Sequence, residues 1–184
     1  MPDEARSRGK PGPEPGGPSI ELLAIDTNVS GNAPVVVGAV ESCASAPAGT
    51  LVTIDIVVDS IPEVVNQQGG ILGFQFDLLY KKRALSVVSV DNAQILTANA
   101  GSSPLEFTEP LPDGDGRLVT IYVDLSETAP ESGAGVLSRI TLKKMSRAST
   151  AIEIVNPIVV DASNNTYVFG EVRGARIVSR EGCR

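Results

Sequence analysis

Between residues 71 and 80 the chain alternates strictly between two kinds of side chain. Leu72, Phe74, Phe76, Leu78 and Tyr80 fall on one parity, and Gly73, Gln75, Asp77 and Leu79 on the other. A repeat of two residues puts these sets on opposite faces of an extended strand, the pattern of a sheet with one face against a core. Residues 51–58 repeat it, with Val52, Ile54, Ile56 and Val58 on one face and Thr53 and Asp55 on the other. Residues 117–125 predict burial of Val119, Ile121, Val123 and Leu125, leaving Leu118, Thr120, Tyr122 and Asp124 outward. Residues 136–145 predict burial of Val136, Ile140 and Leu142, leaving Leu137, Arg139, Thr141 and Lys143 outward. Further strand-like runs at 35–40, 85–90, 105–108, 151–160 and 167–179 are separated by turn residues. Nine strands so spaced predict an all-β antiparallel sandwich, with at most one turn of helix near residues 92–98.

Composition narrows the chemistry. The chain has no His, which removes Ser-His-Asp, Cys-His and His-ligated metal sites. A net charge of −7 opposes binding to nucleic acid, whose phosphates require a basic surface. With no Trp, sugar or base stacking platforms are poorly supplied. Carboxylates such as Asp55, Asp77 and Asp124 are spread over separate strands, and no spacing brings two into one cleft. A protein without catalytic activity or cofactor is expected. No apolar run approaches the ~18 residues of a membrane span, and the first residues lack the pattern of a signal peptide.

Residues 1–18 hold five Pro and four Gly and read as a flexible arm or linker. Residues 19–34 follow as an extra strand-like segment, and residues 35–184 form the sandwich. In that segment Ile20, Leu22, Leu23 and Ile25 either extend their own sheet or act as a donor strand for a second copy of the chain. Asn28 and Asn164 head glycosylation sequons in an exported protein. Asp113-Gly114-Asp115-Gly116 reads as a tight turn, its carboxylates offering weak calcium binding at most.

The run Gly73-Phe74-Gln75-Phe76-Asp77-Leu78-Leu79-Tyr80, with Leu85-Ser86-Val87-Val88-Ser89-Val90 after it, resembles the third and fourth strands of cohesin modules. Val37-Gly38-Ala39-Val40 and Ala48-Gly49-Thr50-Leu51-Val52 resemble the family's first strand and the turn into its second. Gly116 to Ile121 resembles the entry to the sixth strand, Gly135 to Ile140 the eighth, and Gly174 to Ile177 the last. The similarity spans about residues 35–180. It implies a nine-stranded jelly roll at the cell surface or outside the cell, holding a dockerin-like domain on a face made by strands three, five, six and eight. On that reading the partner meets Gln75, Asp77 and Leu79, then Thr120 and Tyr122, then Leu137, Arg139 and Thr141. The bare alternative is a solvated sheet face with scattered apolar residues, and a structural subunit of a fibre or surface layer uses the same sandwich. Two departures stand out. Tyr80-Lys81-Lys82 replaces the family's Tyr-Asp-Pro turn, and its polar Asn and Asp fall on Gly73 and Gln75. In such a jelly roll the first and last strands run side by side, which implies a disulfide between Cys43 and Cys183; the alternative is that one or both thiols are free or link subunits.

Overall fold

The computed structural model describes residues 18–66, 68–126, 130–179 and 182–183. The arm expected at residues 1–18 lies outside them, apart from Pro18. Eleven strands are found among the described residues: β1 (Ser19–Asp26), β2 (Cys43–Ser45), β3 (Leu51–Ile61), β4 (Gly73–Tyr80), β5 (Leu85–Asp91), β6 (Pro104–Thr108), β7 (Arg117–Asp124), β8 (Gly133–Lys144), β9 (Thr150–Val160), β10 (Val168–Arg173) and β11 (Ala175–Val178). The short 3-10 turn at Ile95–Thr97 falls where one turn of helix was expected. No helix among the described residues is long and apolar enough to cross a membrane.

The strands form two sheets, in the orders β10-β1-β3-β8-β5 and β2-β11-β9-β4-β7-β6. Alternation explains the layering. Ile54 and Ile56 of β3 and Ile140 and Leu142 of β8 face Phe74, Phe76 and Leu78 of β4, all buried in one continuous core. Within it Phe74 stacks on both Phe76 and Tyr122, with ring centroids 5.8 and 5.9 Å apart. The all-β sandwich expected from the alternation is therefore observed, with two more strands than anticipated.

Residues 35–40 are not a strand, although their β-branched run predicts one. Val37 and Val40 instead cover a small apolar cluster of Ala24, Val57 and Val136 on the outer side of the five-stranded sheet. Asn32 holds this loop, its Oδ1 accepting the Gly38 N–H at 2.7 Å. The approach is so close that a Cβ at Gly135 would lie 2.2 Å from the Pro34 carbonyl oxygen. β1, read from sequence as a segment ahead of the sandwich, runs between β10 and β3 and is hydrogen-bonded to both. Its Ile20, Leu23 and Ile25 enter the main core, while Leu22 packs on the outer cluster.

Cys43 and Cys183 form a disulfide across 140 residues, with a Cα–Cα distance of 5.6 Å. It stands beside the parallel pairing of β2 with β11, the side-by-side arrangement that the resemblance implied.

One buried acid opposes this packing. Glu131 is 5% exposed, and its Oε1 has no hydrogen-bond partner among the described residues. Burial raises its pKa above the usual glutamate range, against the lowering effect of backbone N–H groups. The native state thus favours the protonated acid, and stability falls as pH rises through that raised pKa. Glu131→Gln should make the protein more resistant to urea at pH 7 and remove this part of its pH dependence. Urea unfolding curves at pH 4.5, 6 and 7 check both points.

Candidate functional site

The outer side of the six-stranded sheet presents a grid set by strand register. In one row Ile158 of β9, Gln75 of β4, Ile121 of β7 and Phe107 of β6 lie side by side. The next row is Val160, Gly73, Val123 and Leu105. Phe107 is 58% exposed, Ile158 42% and Leu105 41%. Large apolar side chains gathered this way on a solvent face form a contiguous patch, which sets them apart from apolar residues scattered singly. Gly73 contributes a gap. Between Gln75, Ile121, Val123, Ile158 and Val160 it opens a shallow concavity of about 130 Å³. A Cβ at Gly73 would stand 3.1 Å from Val123 Cγ2 and begin to fill it.

The other half of the face carries charged groups among apolar ones. Asp77, 2% exposed, accepts hydrogen bonds at 2.8 Å from Arg117 and at 2.8 Å from Asn156. Asn156 reaches it because the β9 strand bulges opposite Gln75 and Asp77, where Asn156 adopts a φ of 50°. The Asp77 hydrogen bond and charge raise the Arg117 pKa. By register Val119 and Val155 flank Asp77, and the next row is Glu153, Leu79 and Arg117. The arrangement can bury an apolar patch of a partner while its charged border sets the register.

This surface differs from the predicted one in three ways. Gln75 and Leu79 lie on it as expected, but Asp77 is covered by its two partners. Thr120 and Tyr122 point inward, at 0% and 3% exposure. The β7 strand is inverted relative to its hydrophobicity. Thr120 faces the core because Asn92 and Thr108 hydrogen-bond its hydroxyl at 2.9 and 2.7 Å. Tyr122 is there because its ring completes the aromatic stack. Asp124 shares that inward parity and is buried, its carboxylate accepting the Ser103 and Ser126 N–H groups at 2.7 and 2.9 Å, while Leu125, beyond the strand, is 61% exposed.

Third, Leu137, Arg139 and Thr141 belong to β8, in the other sheet, so they cannot share a face with Gln75. Leu137 is the unpaired residue of a β-bulge opposite Ile56 and Val57, and turns into the core. Thr141 pairs across the sheet with Thr53 at 3.3 Å. Arg139 grips buried Asp55 through two hydrogen bonds of 2.8 Å, and Asn32 adds a third at 3.0 Å. Removing the arginine leaves a carboxylate at 0% exposure with, among the described residues, only the amide of Asn32. Arg139→Ala should cost about 2 kcal/mol or more in urea unfolding at pH 7, without touching the opposite face.

The remaining candidates separate. Ile20, Leu22, Leu23 and Ile25 are engaged in their own molecule, as described for β1. Asn164 is exposed in a turn at φ 60°, whereas the Asn28 amide donates to Glu41 at 3.0 Å. Asp113 and Asp115 serve their turn, the first accepting from the Tyr80 hydroxyl and the Asp115 N–H, the second from the Arg117 N–H.

Comparison with known proteins points one way. A family model described as the cohesin domain matches residues 35–172. Among solved structures, the sixth cohesin of scaffoldin B from Acetivibrio cellulolyticus, in complex with a dockerin mutant, aligns with a TM-score of 0.63 at 18% identity, covering 88% of this chain and 99% of that one. A cohesin–dockerin complex from Clostridium thermocellum aligns at 0.62 and 16% identity, covering 97% and 100%. A non-cellulosomal cohesin from the archaeon Archaeoglobus fulgidus aligns at 0.57 and 18%, covering 89% and 94%. No curated protein matches.

Proposed function

Since the chain belongs to the cohesin domain family, we propose that it is a non-catalytic binding module that holds a dockerin-type domain on the outer face of β9, β4, β7 and β6. One observation carries this reading, the apolar grid around Ile121, in which Phe107, Ile158 and Leu105 lie exposed on one sheet face. Similar structures bound to dockerins support the choice of partner. The partner sets an apolar patch against Ile158, Ile121, Val123 and Phe107 and meets the charges of Arg117 and Glu153 at the border. A disulfide supports work in an oxidising compartment, at the cell surface or outside the cell. Exposed Asn164 is the sequon better placed to carry a glycan. Fibre assembly by strand donation has less support, because β1 is already paired along both edges.

Calorimetric titration with a panel of dockerin domains should yield a one-to-one complex. Amide hydrogen exchange in that complex should slow on β4, β6, β7 and β9 and stay unchanged on β5 and β8. Failure to bind any dockerin, or protection on the opposite sheet, overturns the proposal.

A further inference from the structure

Cations are distributed unevenly over this acidic molecule. Lys81, Lys82 and Arg83 occupy the turn from β4 to β5, and Lys143, Lys144 and Arg147 the end of β8 and the loop after it. Strand pairing draws them to one end of the sandwich. Leu85 is opposite Lys144, the Met145 N–H donates to the Ala84 carbonyl at 2.7 Å, and Arg176 of β11 lies opposite Ala151.

At that end a cavity of about 810 Å³ is lined by Pro47, Arg147, Ser149, Arg176, Ser179 and Gly182, among others. Its walls are tied together. The Ala46 N–H donates to the Val178 carbonyl at 2.8 Å, the Ser179 hydroxyl donates to the Arg147 carbonyl, and the Cys43–Cys183 disulfide fixes the chain beside Gly182. Neither Arg147 nor Arg176 forms an ion pair among the described residues, where the pairs belong to Arg117, Arg139 and Arg173. A third cation sits close behind. Lys144 is 0% exposed, and its ammonium donates to the Ala148 carbonyl, in the loop that carries Arg147 and Ser149. Burial lowers its pKa, yet no carboxylate among the described residues pairs with it. Guanidinium groups are the side chains best shaped to grip oxyanions, and a nearby unneutralised charge strengthens that grip.

We propose that this cavity binds an oxyanion group, phosphate or carboxylate, held by Arg147 and Arg176 with the Ser149 hydroxyl as a further donor. The site is separate from the dockerin face and does not depend on it.

The test is an amide NMR titration of the full chain at constant ionic strength, with inorganic phosphate in one arm and citrate in the other. Saturable shifts confined to residues 46–48, 147–149, 176–179 and 182 are expected in at least one arm, and the arm that saturates identifies the anion class. Arg147→Ala and Arg176→Ala should each weaken binding at least tenfold. Both side chains are exposed, so thermal midpoints should stay at the wild-type value. Absence of saturable shifts in both arms, or undiminished binding by the double variant, overturns the proposal.

Discussion

Replacing Ile121 with aspartate is expected to weaken dockerin capture at least a hundredfold while the protein stays folded. Register puts Ile121 between Gln75 and Phe107, on the edge of the shallow concavity. In a complex, a carboxylate there would be shut away from water against apolar groups. An unpaired charge so placed costs several kcal/mol, more than enough for two orders of magnitude in affinity. In the free protein the same side chain lies on the solvent side of β7 and stays hydrated, so the unfolding midpoint should move little. Thr141→Asp, on the opposite sheet, is the matched control and should bind like wild type. Calorimetry against one dockerin separates the outcomes. Binding by Ile121→Asp within threefold of wild type would mean that another surface holds the partner.

The second large effect concerns stability. The double variant Cys43→Ala and Cys183→Ala should unfold more easily by about 4–5 kcal/mol, because a cross-link spanning 140 residues strongly restricts the unfolded chain. Typical domains have only about 5–15 kcal/mol in total, so the variant should be marginal at elevated temperature. Structure amplifies the effect locally. β2 has three residues and β11 four, too few for their pairing to hold that edge without the bond. Urea unfolding with and without a reductant gives the measurement. A loss below 1 kcal/mol would show that the unfolded chain gains little freedom when the bond is removed.

How much of this was readable beforehand differs strand by strand. In β4 the apolar parity is unmistakable, and Phe74, Phe76, Leu78 and Tyr80 are buried as expected. In β7 the same reasoning chose the wrong face. Val119, Ile121 and Val123 are greasier than Leu118, Thr120 and Tyr122, yet the latter set lines the core. A rule that sends the more apolar face inward fails here because Asn92 and Thr108 satisfy the Thr120 hydroxyl inside and the Tyr122 ring stacks on Phe74. The signal was present in the sequence, since both parities of residues 118–123 are largely apolar, as they would be in a strand covered on two sides. Phe107 and Ile158 gave less warning, the first in a short run bounded by prolines, the second after Pro157 where a bend was expected.

Alternation along single strands determined the all-β class, most element positions and the inward residues of β3 and β4, because side-chain direction in an extended chain depends only on parity. Which strands are neighbours was decided by long-range packing. That placed β8 in the sheet opposite β4, inserted β1 between β10 and β3, and brought distant arginines to one end. No local pattern encodes such relations, since they follow from how two finished sheets cover each other's apolar faces.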